Sequence, residues 1–331
     1  MKKLIKHILM IVLICSWPSL WAAPTKIIPE AAKQISPATP SSSMSVPLNN
    51  YGAVDVNAHV PLSAQVPPMP KDLKLAMLNP LVNTFSNLIP SGPSIQANSY
   101  ILMSAQSGQV IAEHNANQRY APASLTKLML LYLTEKALAS GQISLQDQIQ
   151  VPTVAWATGG SSMFLKPHQS VSIQNLILGV VVESGNDSAV TRANQIAGSQ
   201  QTFVAMMNQA AKTLGMTNTH FSDVMGLPAP NHYSSARDLA ILAQAIIRDF
   251  PQYFSWYKTK WFSFNGIRQP NFNKLLFIYP YAEGMKTGST QEAGYSLVSA
   301  AKMPDRPMRL IAVVMGACLL YTSPSPRDAT L

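Results

Sequence analysis

The stretch Ser124–Gly141, SLTKLMLLYLTEKALASG, follows the turn-like Ala121-Pro122-Ala123 and reads as a strong helix closed by Gly141. Upstream, SYILMSAQSGQVIAEHNA (residues 99–116) reads as two strands joined by a turn at Gln106–Gly108. Downstream, residues 171–198 (VSIQNLILGVVVESGNDSAVTRANQIAG) and 201–215 (QTFVAMMNQAAKTLG) read as further helices. SARDLAILAQAIIRDF is another, with Ser235 as its N-cap. After them KWFSFNGIR, GMKTGST, GYSLVSAAK and MRLIAVVMG read as successive strands of an antiparallel sheet. Strands, then a block of helices, then strands predict an α+β architecture without internal repeats.

The composition agrees with a packed core. The chain has 331 residues, of which 47% are apolar and only 12% charged. That length allows at most about two domains plus tails, and that composition excludes a mainly disordered or collagen-like chain. The formal charge is +9, but Lys2, Lys3 and Lys6 lie at the extreme N-terminus and the other cations are scattered. No Lys/Arg run or nucleic-acid motif is present, so nucleic acid is not an expected partner. The mild excess suits attraction to anionic envelope material.

The ends differ from the middle. Residues 1–22 have the three parts of an export signal: basic residues, the apolar run Ile8–Cys15, and a small-residue site at Ala22 and Ala23. The run is too short to span a bilayer, which takes about 20 apolar residues. Ile14 is too bulky for the residue before a lipidated cysteine, so Cys15 is expected to leave with a cleaved signal. Only Cys318 then remains, and no internal disulfide is possible. Residues 23–93 hold 12 of the 25 prolines and read as a Pro/Ser-rich linker, with a short helix around Leu78–Ile89. A single globular domain is expected over residues 94–317. Beyond Ala317 the apolar strand pattern stops, and CLLYTSPSPRDATL (318–331) resembles a reading frame of a sequencing-library adapter. It is expected to be a non-native tail.

Three short motifs carry chemistry: Ser124-Leu-Thr-Lys127, Ser184-Gly-Asn186 and Lys286-Thr287-Gly288. Ser124 opens a helix, at the positive end of its dipole. The three-residue step puts Lys127 on the same face. A lysine amine beside a serine hydroxyl can act as its general base when neutral, and burial or a second cation moves its pKa that way. Plainer readings exist for each residue: Ser124 as an N-cap, Asn186 as a turn former, Lys286 as a solvated strand charge. Ser255-Trp-Tyr-Lys258 repeats the first motif's spacing and reads as an incidental surface pair. His168 and His232 read as loop residues, and Arg237 and Asp238 as pins of a helix start.

The three motifs in this order resemble those of the penicillin-recognising serine enzymes. The stretches APASLTKLM, SGNDSAV, HYSSARDLA, AEGMKTGST and AGYSLVSAA are similar to low-molecular-mass D-alanyl-D-alanine carboxypeptidases (peptidase S11). The resemblance covers about Ser94–Ala317 and implies the serine β-lactamase/penicillin-binding-protein-like fold, an antiparallel sheet flanked by helices with a helical subdomain. It implies that Ser124 attacks the bond between two terminal D-alanines, that Lys127 takes its proton, and that Ser184 passes it to the leaving group. Asn186 would bind the substrate amide. Lys286 and Thr287 would hold the terminal carboxylate, with Lys286 lowering the Lys127 pKa by like charge. Gly288 would let a substrate strand lie against the sheet edge, and the N–H groups of Ser124 and Ser289 would form the oxyanion hole. Peptidoglycan stem peptides and β-lactams are the implied partners, and no metal or cofactor is implied.

Rival readings are a β-lactamase of the same fold, an endopeptidase for D-alanyl crosslinks, and a non-catalytic peptidoglycan-binding protein. Against the first, no glutamate lies between Glu183 and Glu283 to activate a deacylating water. Export predicts the periplasm. The family's arginine after the MGG-type strand, its second domain and its membrane-anchoring C-terminal helix have no counterpart before residue 331. Association with the inner membrane is therefore expected of a longer chain, and weak folding or turnover of this one.

Overall fold

The computed structural model describes Gly92 and residues 94–317, all within one compact unit. The expected export signal, the linker with its short helix, and the tail lie outside the described residues.

The main sheet has five strands: β1 (Ala97–Ser104), β2 (Val110–His114), β7 (Ala282–Thr290), β8 (Gly294–Lys302) and β9 (Arg309–Ala317). Their spatial order is β2-β1-β9-β8-β7, and every neighbouring pair is antiparallel. The nearly continuous apolar run of β9 follows from burial on both faces. Ile311, Val313 and Met315 join Ile101 and Met103 in the larger core cluster, while Leu310, Ala312 and Val314 join Tyr100 and Leu102 in a second one. β7 stands at the edge.

The helices follow the predicted order. A 3₁₀ turn (Ala123–Thr126) runs into α1 (Lys127–Ala139), whose Leu128, Met129, Leu130 and Leu131 are buried at four consecutive positions. A helix with no polar face belongs in the centre, and α1 sits there. α2 (Thr153–Trp156) and α3 (Ile173–Glu183) pack on α4 (Asn186–Ala197), while α4, α5 (Gln200–Thr213) and α6 (Ala236–Asp249) pack on α1 itself. The Oγ atoms of Ser172, Ser199 and Ser235 accept the third following N–H at the starts of α3, α5 and α6. A two-stranded ladder pairs β3 (Gln148–Gln150) with β4 (Ser170–Ser172).

One expectation is corrected. KWFSFNGIR is not a strand of the main sheet but a hairpin, β5 (Trp261–Phe264) with β6 (Ile267–Pro270), which forms its own two-stranded sheet. The Asn265-Gly266 turn explains this, since both residues have positive φ, as a two-residue hairpin requires. A short helix, α7 (Leu275–Ile278), follows.

The centre of the fold holds a carboxyl group. Glu135 of α1 is fully buried and accepts from Tyr257 Oη at 2.8 Å. Burial pushes its pKa up to about 8, against 4.5 for a free carboxyl in water. A folded-state pKa above the unfolded one contributes stability below about pH 4.5 that is lost as pH rises towards 8. Glu135→Gln is therefore expected to match the parent at pH 5 and to exceed it by roughly 2–4 kcal/mol at pH 8. Thermal melts of both proteins at the two pH values check this, and a pH-independent difference would refute it.

Candidate active site

The nucleophile turn begins at Pro122, whose carbonyl accepts the Leu125 N–H at 3.1 Å. Ala123 is held at φ +48°, a region that non-glycine residues avoid. What holds it there is Gly226, at φ +92°. A Cβ on Gly226 would lie 1.8 Å from the Ala123 carbonyl oxygen and 2.9 Å from the Ser124 nitrogen. Asp223 shapes this supporting loop by accepting the N–H groups of Met225 and Gly226 at 2.6 Å each and of Leu227 at 3.1 Å.

Lys127, in the first turn of α1, is completely buried. Its Nζ lies 2.8 Å from Ser124 Oγ and 2.8 Å from the Met225 carbonyl. Burial lowers its pKa to about 7, although the Asp223 and Asp187 carboxylates pull the other way. The like-charge effect expected from Lys286 is not among the causes of this shift, which is a correction to the sequence reading. It appears on Lys286 instead, whose pKa is depressed first by burial and then by the Lys127 cation. Both amines are buried, and the Lys127 cation disfavours charge on Lys286.

Lys286 is 2% exposed and its Nζ donates to the Thr287 carbonyl at 2.9 Å. It lies on β7, which packs its edge against the nucleophile turn. Gly288 is needed for that approach, because a Cβ there would be 2.9 Å from the Pro122 oxygen and 3.1 Å from the Leu125 nitrogen. Its role is thus closure of sheet on turn, beyond the expected clearance for a substrate strand. Thr287 is half-buried and Ser289 exposed beside it.

The third wall is the break between α3 and α4. Ser184 caps α3 in the left-handed region (φ +56°), and its Oγ is buried with no hydrogen-bond partner among the described residues. Asn186 opens α4, its Nδ2 donating to the Gly159 carbonyl at 2.6 Å, which leaves Oδ1 as its acceptor. Asp187 pins the 159–165 loop across this gap. Its carboxylate accepts the N–H groups of Met163 and Leu165 at 3.1 Å and the Ser162 hydroxyl at 2.5 Å. α4 packs on α1, which brings this wall to the nucleophile side. Beside it, burial and the Asp187 carboxylate push Glu183 up to about 8, so it is largely neutral at pH 7.

The plainer readings do not fit this arrangement. Ser124 Oγ caps no helix, Asn186 is helical, and Lys286 is buried. His232 lies in a loop, as expected, but it is buried, with Nε2 2.8 Å from Thr126 Oγ1 beneath the nucleophile turn. Ser255 and Lys258 are both exposed, as expected of a surface pair, and the Lys258 Nζ pairs instead with the buried Glu283 at 2.6 Å. Arg237 pairs with Glu113, and Asp238 takes the Asn218 N–H at the start of α6, both away from the motifs as expected.

Fold and site together define a serine enzyme class of penicillin-recognising architecture, with a buried lysine amine against a serine at a helix start. The family profile of D-alanyl-D-alanine carboxypeptidases matches residues 86–318, and the chain belongs to that family. It is 49% identical over 232 residues to D-alanyl-D-alanine carboxypeptidase DacC of Escherichia coli K12, covering 68% of this chain and 58% of that one. Among solved structures it is similar to penicillin binding protein 5 of Haemophilus influenzae, at 44% identity and TM-score 0.66, covering 68% of this chain and 66% of that one. Penicillin binding protein 6B of Escherichia coli matches at 42% identity and TM-score 0.66, over 72% and 75% of the two chains. The chain thus spans a little under three fifths of the length of the E. coli relative. Among the described residues no helix is long and apolar enough to cross a membrane.

Proposed function

We propose that the chain is an exported, periplasmic serine carboxypeptidase that removes the terminal D-alanine of peptidoglycan pentapeptides. The observation that carries this is the 2.8 Å between Lys127 Nζ and Ser124 Oγ, in a pocket that brings the amine's pKa to about 7. Ser124 Oγ attacks the carbonyl carbon of the penultimate D-alanine while Lys127 Nζ takes its proton. The N–H groups of Ser124 and Ser289 stabilise the oxyanion, each worth about 10²–10³ in rate. Collapse breaks the C–N bond, and Ser184 delivers the proton to the departing D-alanine amine. Water then attacks the ester, the acid leaves and Ser124 is regenerated.

Substrate placement follows from the walls. Asn186 Oδ1 accepts the amide N–H, and the substrate backbone runs along the edge strand β7. Lys286 and Thr287 hold the terminal carboxylate. Burial disfavours charge on Lys286, so the arriving anion supplies the partner that lets it hold its proton. β-Lactams enter as covalent inhibitors by the same attack. Both nearby aspartates are occupied with backbone N–H groups, which leaves neither in place to speed release of a bound penicillin.

The test is the intact mass of the full chain after incubation with benzylpenicillin, beside Ser124→Ala. A stable gain of one adduct, absent in the variant, is expected, together with D-alanine release from an acyl-D-Ala-D-Ala peptide. Adduct formation that survives Ser124→Ala would overturn the assignment.

A further inference from the structure

The described surface carries one dense apolar and basic patch that the proposed reaction does not use. Six of the ten exposed large apolar side chains fall between residues 261 and 281: Trp261, Ile267, Phe272, Phe277, Ile278 and Tyr281. Scattered exposed apolar residues need no explanation, whereas their concentration in the one segment that holds the β5–β6 hairpin, α7 and the residues beside them marks a contact surface. Cations are built into it. The Arg268 guanidinium lies 4.4 Å from the Trp261 ring centroid, Trp261 meets Phe277 edge to face at 5.7 Å, and Lys260 Nζ lies 5.9 Å from the Phe277 ring.

The charge is one-sided. The sequence has no Asp or Glu between Asp249 and Glu283, but it has Lys258, Lys260, Arg268 and Lys274. Glu283 is itself buried beneath Lys258 and Arg309. Lys260, Arg268 and Lys274 form no ion pair within 4.0 Å among the described residues. A partner for this face must therefore bring both hydrocarbon and negative charge.

We propose that this face docks on an anionic phospholipid surface, Trp261, Phe277 and Ile278 entering the headgroup–acyl boundary while Lys260, Arg268 and Lys274 hold the phosphates. Ring-bearing and basic side chains side by side are the composition of an interfacial anchor. Two observations favour lipid over a glycan strand. Ile278, the most exposed of the six at 53%, offers hydrocarbon and no ring face for a sugar to stack on. One face of Trp261, the largest ring, is already covered by Arg268. The Phe272 N–H donates to the Val182 carbonyl at 3.4 Å, two residues before Ser184, so docking here keeps the α3–α4 break close to the bilayer.

The test is a lipid titration of the full chain against phosphatidylcholine vesicles with and without 30% phosphatidylglycerol. The parent is compared with Trp261→Ser/Ile278→Ser and with Lys260→Gln/Arg268→Gln. The N-terminal apolar run is common to all, so differences between variants report the patch. Each double variant is expected to bind anionic vesicles at least about tenfold more weakly, and the neutral-vesicle affinity of the charge variant is expected to be unchanged. Thermal melting midpoints verify that the variants fold. Undiminished binding of either folded variant to anionic vesicles would overturn the proposal. So would variants that lose binding to isolated peptidoglycan while keeping that to vesicles. None of these readings depends on whether Ser124 is acylated.

Discussion

Acylation of Ser124 by benzylpenicillin will rise about tenfold per pH unit below pH 7 and level off above it, and Lys127→Arg will abolish it. The reaction needs Lys127 as a neutral amine, and the rate follows the fraction that is deprotonated. An ordinary lysine amine, at 10.5, would be neutral about once in a thousand at pH 7.5. Burial brings this one to about 7, which makes the neutral form the majority species there. The direction is not automatic, because Asp223 and Asp187 both favour the charged amine. Their carboxylates are themselves saturated by backbone and hydroxyl donors, and complete removal of the ammonium from water outweighs them. The guanidinium of arginine cannot release its proton, so Lys127→Arg keeps a cation and loses the base, at least about 10³-fold in rate. The measurement is the second-order acylation rate from pH 5.5 to 9. A rate that falls through pH 7, or an arginine variant within tenfold of the parent, would remove Lys127 from the base role.

What the sequence made legible was local. Ser235 is an N-cap because a serine before an apolar-periodic run can accept the third N–H, and it does so. The five strands of the main sheet and the helical block follow from their apolar patterns, and the three motifs fall in the order that their resemblance required. Apolar content alone makes KWFSFNGIR a single run, whereas its Asn265-Gly266 turn divides it into the two strands of a hairpin at 261–270. The supporting half of the site was not readable in this way. Lys127 meets the Met225 carbonyl across 98 residues of chain, and His232 meets Thr126 across 106. No spacing rule reaches that far. Asp223 and Gly226 leave only the weak mark of an acid three residues before a glycine, which many surface turns share. Asp187 directly follows the Ser184-Gly-Asn186 motif, but its role appears only when the 159–165 loop folds over it.

Gly226→Ala will remove acylation even though residue 226 touches no substrate. Two penalties meet at this position and can be separated. The first is backbone: φ +92° is a region that an alanine enters only with strain. The second is steric, since the added methyl would overlap the Ala123 carbonyl at 1.8 Å, and a backbone atom cannot swing aside as a side chain can. Either the loop or the turn must retreat by more than 1 Å. If the turn moves, Ser124 Oγ leaves its place against Lys127, and a displacement of that size is worth about 10² in rate. If the loop moves, Lys127 Nζ loses the Met225 carbonyl that fixes it. Both routes reach the nucleophile, so a fall of at least about 10²-fold in acylation is expected, with a stability loss of roughly 3 kcal/mol. Gly266→Ala isolates the first penalty. Gly266 has φ +77° in the β5–β6 turn, and nothing lies within 4 Å of its added methyl. That variant should lose only about 1 kcal/mol and acylate at the parental rate. Equal acylation by Gly226→Ala and Gly266→Ala would mean that the loop merely covers the turn. A selective loss at residue 226 would mean that the 223–227 loop sets the nucleophile's position through the strained Ala123.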